Sequence, residues 1–148
     1  MATGTWTDAS DTVITHSGAG PYILSNTVDM TDVIANTDVT GAASDIIQCL
    51  SIPADTLVTS VVFEVTTVSG VSSSTVDIGV TGDDVDGWDA ELDANTAAMT
   101  NGDGAYCAQT GGGKLFTSAD TIDVTIHTAS AVLSALEFKI WAVCVPLT

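Results

Sequence analysis

The sequence predicts an all-β chain, an antiparallel β-sandwich of jelly-roll type with an extended N-terminal arm. Three observations lead there. Thr and Val, both β-branched and suited to a pleated sheet, dominate the composition. Apolar and polar residues alternate with period two in several segments. Of the 19 carboxylates 16 are Asp, which favours turns over helices. At 148 residues one domain is expected, and an apolar content of 45% argues against disorder despite the charge. We divide the chain into an arm over 1–21 and a single sandwich domain over 22–148.

The elements follow in order. Residues 1–12 are small and polar apart from Trp6, a lone aromatic that reads as a docking anchor or as a residue packed on its own domain. Segments 22–25 and 27–35 read as short strands. Strand 45–52 ends at Pro53-Ala54-Asp55-Thr56, and proline cannot continue a ladder, so a hairpin with 57–67 is expected. In 57–67 strict alternation puts Leu57, Thr59, Val61, Phe63 and Val65 on one face, with Val58, Ser60, Val62, Glu64 and Thr66 on the other. In 74–81 Val76, Ile78 and Val80 share a face, and in 121–127 so do Ile122, Val124 and Ile126, leaving His127 on the polar side. Residues 89–99 leave room for a turn or two of helix, and 114–117 reads as a strand.

The last strand, 133–145, changes character along its length. Leu136, Phe138, Ile140, Ala142 and Cys144 face inward. The outer face begins with Glu137 and Lys139 and then turns apolar at Trp141, Val143 and Val145. A strand apolar on both faces must be covered on both. The cover is either the N-terminal arm or a neighbouring subunit; in the second case these three residues form an oligomer interface with Trp141 as its anchor.

Charge restricts the partners. There are two lysines, Lys114 and Lys139, and no arginine, for a net charge of -17. Neither a nucleic-acid backbone nor an anionic membrane surface can be held by so few cations. Self-repulsion on this scale predicts a fold or an assembly that is more stable in salt. The three cysteines, Cys49, Cys107 and Cys144, show no CxxC spacing and read as reduced thiols in a chain made in a cytoplasm. No signal peptide is recognised, and the apolar run 140–147 is shorter than the ~20 residues of a membrane helix.

Constellations that could carry chemistry are few. The acidic segment 82–93 offers Asp84, Asp86, Asp89 and Asp93 as calcium candidates, and Asp84-x-Asp86-Gly87 matches part of an EF-hand loop. Gly82 and Asp93 break the rest of that pattern, so a solvated acidic loop is the simpler reading. With Trp88 and Tyr106 nearby, the segment also suggests a calcium-dependent carbohydrate-binding module as a rival. Thr110-Gly-Gly-Gly-Lys114 departs from a phosphate loop at Ala108 and Leu115. His16 and His127 have no zinc spacing and no nucleophile elbow beside them. No enzyme and no cofactor are expected.

From residue 22 onward the order of features resembles virion structural proteins of tailed phages, marine and cyanophage types in particular. The residues that carry it are Tyr22-Ile-Leu-Ser, Val28-Asp-Met, Asp45-Ile-Ile-Gln-Cys-Leu-Ser-Ile-Pro-Ala-Asp-Thr-Leu-Val and Val76-Asp-Ile-Gly-Val-Thr-Gly-Asp-Asp-Val-Asp-Gly-Trp. Gly111-Gly-Gly-Lys-Leu, Asp120-Thr-Ile-Asp-Val-Thr-Ile and Phe138-Lys-Ile-Trp-Ala complete it. The resemblance implies a capsid cement (decoration) or fibre-type β-sandwich, made in the host cytoplasm and carried on the virion. Its implied partners are the major capsid protein and two further copies of itself, with Trp6 and the arm at a subunit or capsid contact. A tail, neck or fibre component is the alternative within the same class.

Overall fold

The computed structural model describes residues 1–6, 20–108 and 112–147. Among these are ten strands: β1 (Thr3–Thr5), β2 (Tyr22–Asp29), β3 (Ile46–Ile52), β4 (Thr56–Thr67), β5 (Thr75–Val80), β6 (Asp84–Asp93), β7 (Met99–Asn101), β8 (Lys114–Phe116), β9 (Asp120–Thr128) and β10 (Glu137–Pro146). Two short helices, α1 (Met30–Asn36) and α2 (Ala105–Ala108), interrupt them.

The strands form two sheets, β1-β3-β9-β5-β6 and β2-β10-β4-β7, with β8 added beside β4. With β1 and β8 set aside, one sheet holds the first, last, third and sixth main strands and the other the second, seventh, fourth and fifth. That is the strand order of a jelly roll, two Greek keys folded across each other. The interior is filled from both inner faces, by Ile47, Ile78, Ile122 and Ile126 on one side and Val61, Phe63, Phe138 and Ile140 on the other. Phe63 and Phe138 meet with ring centroids 4.9 Å apart.

Several sequence expectations are corrected by the fold. Strands β3 and β4 do not form a hairpin: β3 pairs with β1 and β9, and β4 with β10, β7 and β8. The Pro53–Asp55 corner, with Asp55 at φ 56, carries the chain from one sheet to the other. Segment 27–35 is not a strand throughout. Strand β2 ends at Asp29, whose side chain accepts a hydrogen bond from the Thr31 N–H (2.8 Å) and caps α1, which buries Met30 and Val33. The acidic segment is a strand rather than a loop, and 89–99 contains no helix. Asp93 ends β6 by accepting from the Asn95 N–H and the Thr96 hydroxyl.

Strict alternation fails in β4. The register with β10 slips between Val143 and Cys144, so Val143 faces Ser60 while Cys144 faces Val58. Thr59 is the extra residue of this bulge. Val58 is consequently buried and Leu57 turns outward, the reverse of the expectation. Gly113 lies against the bulge at φ 94, where an added Cβ would sit 2.0 Å from the Val58 carbonyl oxygen.

Residues 1–6 of the expected arm run along the edge of the first sheet. Strand β1 pairs in parallel with β3, Thr3 opposite Ile46 and Thr5 opposite Gln48. Residues 7–19, with His16, lie outside the described residues.

Candidate interaction surface

The outer face of the second sheet carries a group of apolar side chains from several strands. Strand β10 lies between β2 and β4, so its outward residues have neighbours on both sides. Val143 stands opposite Ile23 on β2 and Ser60 on β4, and Trp141 opposite Ser25 and Val62. Val145 stands opposite Leu57, which in turn faces Leu115 on β8. Ile23, Val62, Met99, Trp141 and Val143 line a shallow groove of about 240 Å³ with no polar wall. Met99 is 64% exposed and Leu115 47%, with half-buried apolar residues of β4 and β10 beside them.

The patch has a polar limit. One step along β10, Lys139 stands opposite Thr27 and Glu64. Beyond it, the Thr67 hydroxyl donates to Glu137 Oε2 (3.0 Å). The inner side of β10 is inert: burial pushes the Cys144 thiol up to about 11, so it stays protonated and packs as a small apolar group.

Trp141, Val143 and Val145 therefore share one outward face, and Ile23, Val62, Leu57, Met99 and Leu115 join them from other strands. Sequence reading missed Leu57 because nothing local marks the bulge at Thr59. Ile23 was hidden because its outward direction depends on how β2 pairs with β10. Trp6 lies elsewhere. Its side chain packs partly buried against its own core, while its backbone N–H donates to the Gln48 carbonyl (3.1 Å) and its backbone carbonyl accepts from Asn26 Nδ2 (2.7 Å).

The calcium candidates are spread along β6. The neighbouring Asp86 side chain raises the Asp84 carboxyl, with slight burial adding to the effect. Asp89 is raised by burial and then by the charges of Asp103 and Asp77. Asp93 is used in its turn, and the Thr96 and Asn95 hydrogen bonds lower it. Among the described residues no group of three His, Cys, Asp or Glu side chains is placed to hold a metal ion. The aromatics of the carbohydrate reading are also withdrawn. Trp88 is fully buried, and Tyr106 packs edge-on against it with centroids 5.3 Å apart. Tyr106 donates to Asp83 Oδ2 (2.8 Å), and Lys114 pairs with the same carboxylate while lying 4.7 Å from the Tyr106 ring centroid. No stacking platform for a sugar remains there.

Three solved structures share this architecture. One chain in the capsid of Ralstonia phage GP4 superposes with a TM-score of 0.70 at 13% identity, covering 99% of both chains. The fold is one found in phage capsids. A chain of the cyanophage Pam1 capsid asymmetric unit gives 0.58 at 15% identity, over 94% of this chain and 95% of that one. A chain in the acidic stable capsid structure of Helicobacter pylori bacteriophage KHP30 gives 0.56 at 11%, over 84% and 86%. No protein-family model and no curated protein matches the sequence.

Proposed function

We propose that this protein is a structural component of a tailed-phage virion, a decoration (cement) protein bound to the outer surface of the major capsid protein shell. The observation that carries the reading is the end-to-end likeness of its jelly roll to a chain within an assembled phage capsid. Charge supports the outer surface. A chain of net charge -17 is repelled by packaged DNA and suits the side of the shell turned away from it. A cement protein needs no reaction centre; it needs contact area.

The apolar outer face of the second sheet supplies that area, with Trp141, Val143 and Val145 at a contact between copies in a homotrimer. Three linked copies engage the shell together, so modest individual contacts sum to tight attachment. Trp6, held on its own domain, acts here by fixing the edge strand β1 in place. The test is co-sedimentation of the purified protein with virions, with the stoichiometry measured. Hundreds of copies per particle support the head assignment. A handful of copies places the protein in the tail or neck, and no binding to virions overturns the reading.

A further inference from the structure

On the opposite sheet, two bulges flank Asp77. Between β5 and β9, Thr75 faces Thr128 and Val76 faces Ile126, which leaves His127 as the extra residue. Between β5 and β6, Val76 faces Leu92 and Ile78 faces Asp89, so Asp77 is opposed by both Ala90 and Glu91. Glu91 takes a left-handed backbone at φ 54, an uncommon conformation for a residue with a long side chain. Its N–H, displaced from the ladder, donates instead to Asp77 Oδ1 (2.8 Å). The other oxygen of Asp77 meets His127 Nδ1 at 2.7 Å, and His127 Nε2 faces Glu91 Oε1 at 3.7 Å. Asp77 is buried and the His127 ring is 42% exposed, so protons reach the ring from solvent while its anchor is fixed.

We propose that Asp77, His127 and Glu91 form a proton-operated clasp that holds the edge strand β6 to the rest of its sheet. With the ring protonated, Nδ1–H donates to Asp77 and the positive charge also attracts Glu91, joining β9, β5 and β6. When the ring is neutral, the Nδ1–H contact persists, but the Nε2 lone pair faces the Glu91 carboxylate and the outer arm of the clasp is lost. The carboxylates facing the ring are Asp77 from β5 and Glu91 and Asp86 from β6. The hydrogen bond to Asp77 and its charge hold the imidazole above its ordinary range, opposed by slight desolvation and supported by Glu91 and Asp86. The raised value puts the stabilisation fully in place below about pH 6.5 and removes it as pH rises through the folded-state value. Release reaches further than the bulge. Leu92 and Asp93, next along β6, line a cleft of about 200 Å³ against Phe63 and Val65 of the other sheet. Loosening β6 frees one wall of that cleft.

The test is amide hydrogen exchange of Glu91 and Leu92 across pH 5 to 9, corrected for intrinsic base catalysis, alongside an NMR titration of His127 assigned with H16Q. Protection is expected to fall about threefold or more as His127 deprotonates, on the scale of a local opening. H127Q is expected to flatten this dependence, and E91Q to reduce it. An unchanged pH profile in H127Q, or His127 titrating at or below the ordinary histidine value, overturns the proposal. If H127Q does not fold, the wild-type titration and E91Q decide it: the clasp fails if protection does not track His127 or if E91Q leaves the profile unchanged.

Discussion

Asp45 concentrates five acceptor contacts in one buried carboxylate. Oδ1 accepts from the Ala2 N–H (2.8 Å); Oδ2 accepts from the Thr40 N–H and hydroxyl (both 2.7 Å), the Gly41 N–H (3.1 Å) and the Ala42 N–H (3.4 Å). Burial alone would raise this carboxyl, but the hydrogen bonds from Thr40, Ala2 and Ala42 outweigh it and hold it below the usual range. Its contribution is therefore present above about pH 4 and is lost as pH falls through the folded value. Asp45→Asn turns an NH2 toward one set of donors, and a loss of about 2 kcal/mol or more is expected in urea unfolding at pH 7, the scale of charge-assisted hydrogen bonds. Asp123 behaves in the opposite sense. It is 2% exposed, and its Oδ1 and the hydroxyls of Thr121 and Thr125 beside it on β9 are buried without partners. Burial raises its carboxyl, although the hydrogen bond from the Thr81 N–H opposes this. The folded state gains stability as pH falls from neutral through that raised value. Asp123→Asn removes the buried charge and keeps an acceptor for the Thr81 N–H, which lies 3.1 Å from Oδ2. A stabilisation of about 1 kcal/mol at pH 7 is expected, and equal or lower urea stability than wild type refutes it.

At the scale of the element, β5 and β6 show what alternation reveals and what it hides. The inward set Val76, Ile78 and Val80 was legible because a half-buried strand writes its period into the sequence. The path of β6 was not. The backbone of Asp84 and Val85 crosses Gly79 so closely that an added Cβ would lie 2.2 Å from the Asp84 carbonyl oxygen. Acidic residues that look like a solvated loop are thus drawn into a strand by a close approach and by the burial of Trp88, neither of which has a local signature. Gly79→Ala is expected to lower the melting temperature by several degrees, because backbone rather than a pliable side chain must move. Strand β10 was legible on both faces, which is why Trp141, Val143 and Val145 could be named together. Ile23, Leu57, Met99 and Leu115 could not, because pairing, a bulge and an added strand place them. Trp141→Ser leaves the inner face of β10 untouched, so its expected cost in unfolding stability is at most about 1 kcal/mol. The same substitution is expected to weaken self-association about tenfold or more by analytical ultracentrifugation. Unchanged association would remove this face from the proposed trimer contact.

For the whole molecule, the decisive quantity is the charge the fold has to carry. Nineteen carboxylates face two lysines; one of these, Lys114, is committed to Asp83, while Lys139 lies exposed at the edge of the apolar patch. Most carboxylates therefore repel one another across the surface, and bringing copies together on the second sheet adds like charge to like. An apolar patch is the means by which such a chain can associate, since burial of apolar area gains free energy irrespective of net charge. Salt then acts in one direction on both processes. Raising the ionic strength shortens the range of repulsion, to about 8 Å under physiological conditions and less in seawater-like salt, and this relieves the compact state and the oligomer together. A rise of several degrees in melting temperature is expected between low salt and about 0.5 M NaCl, with tighter self-association over the same range. Ion pairing as the main source of cohesion would give the reverse, a melting temperature that falls with added salt. Repeating the measurement in sodium sulfate at matched ionic strength separates screening from a strengthened hydrophobic effect, since sulfate adds the second to the first.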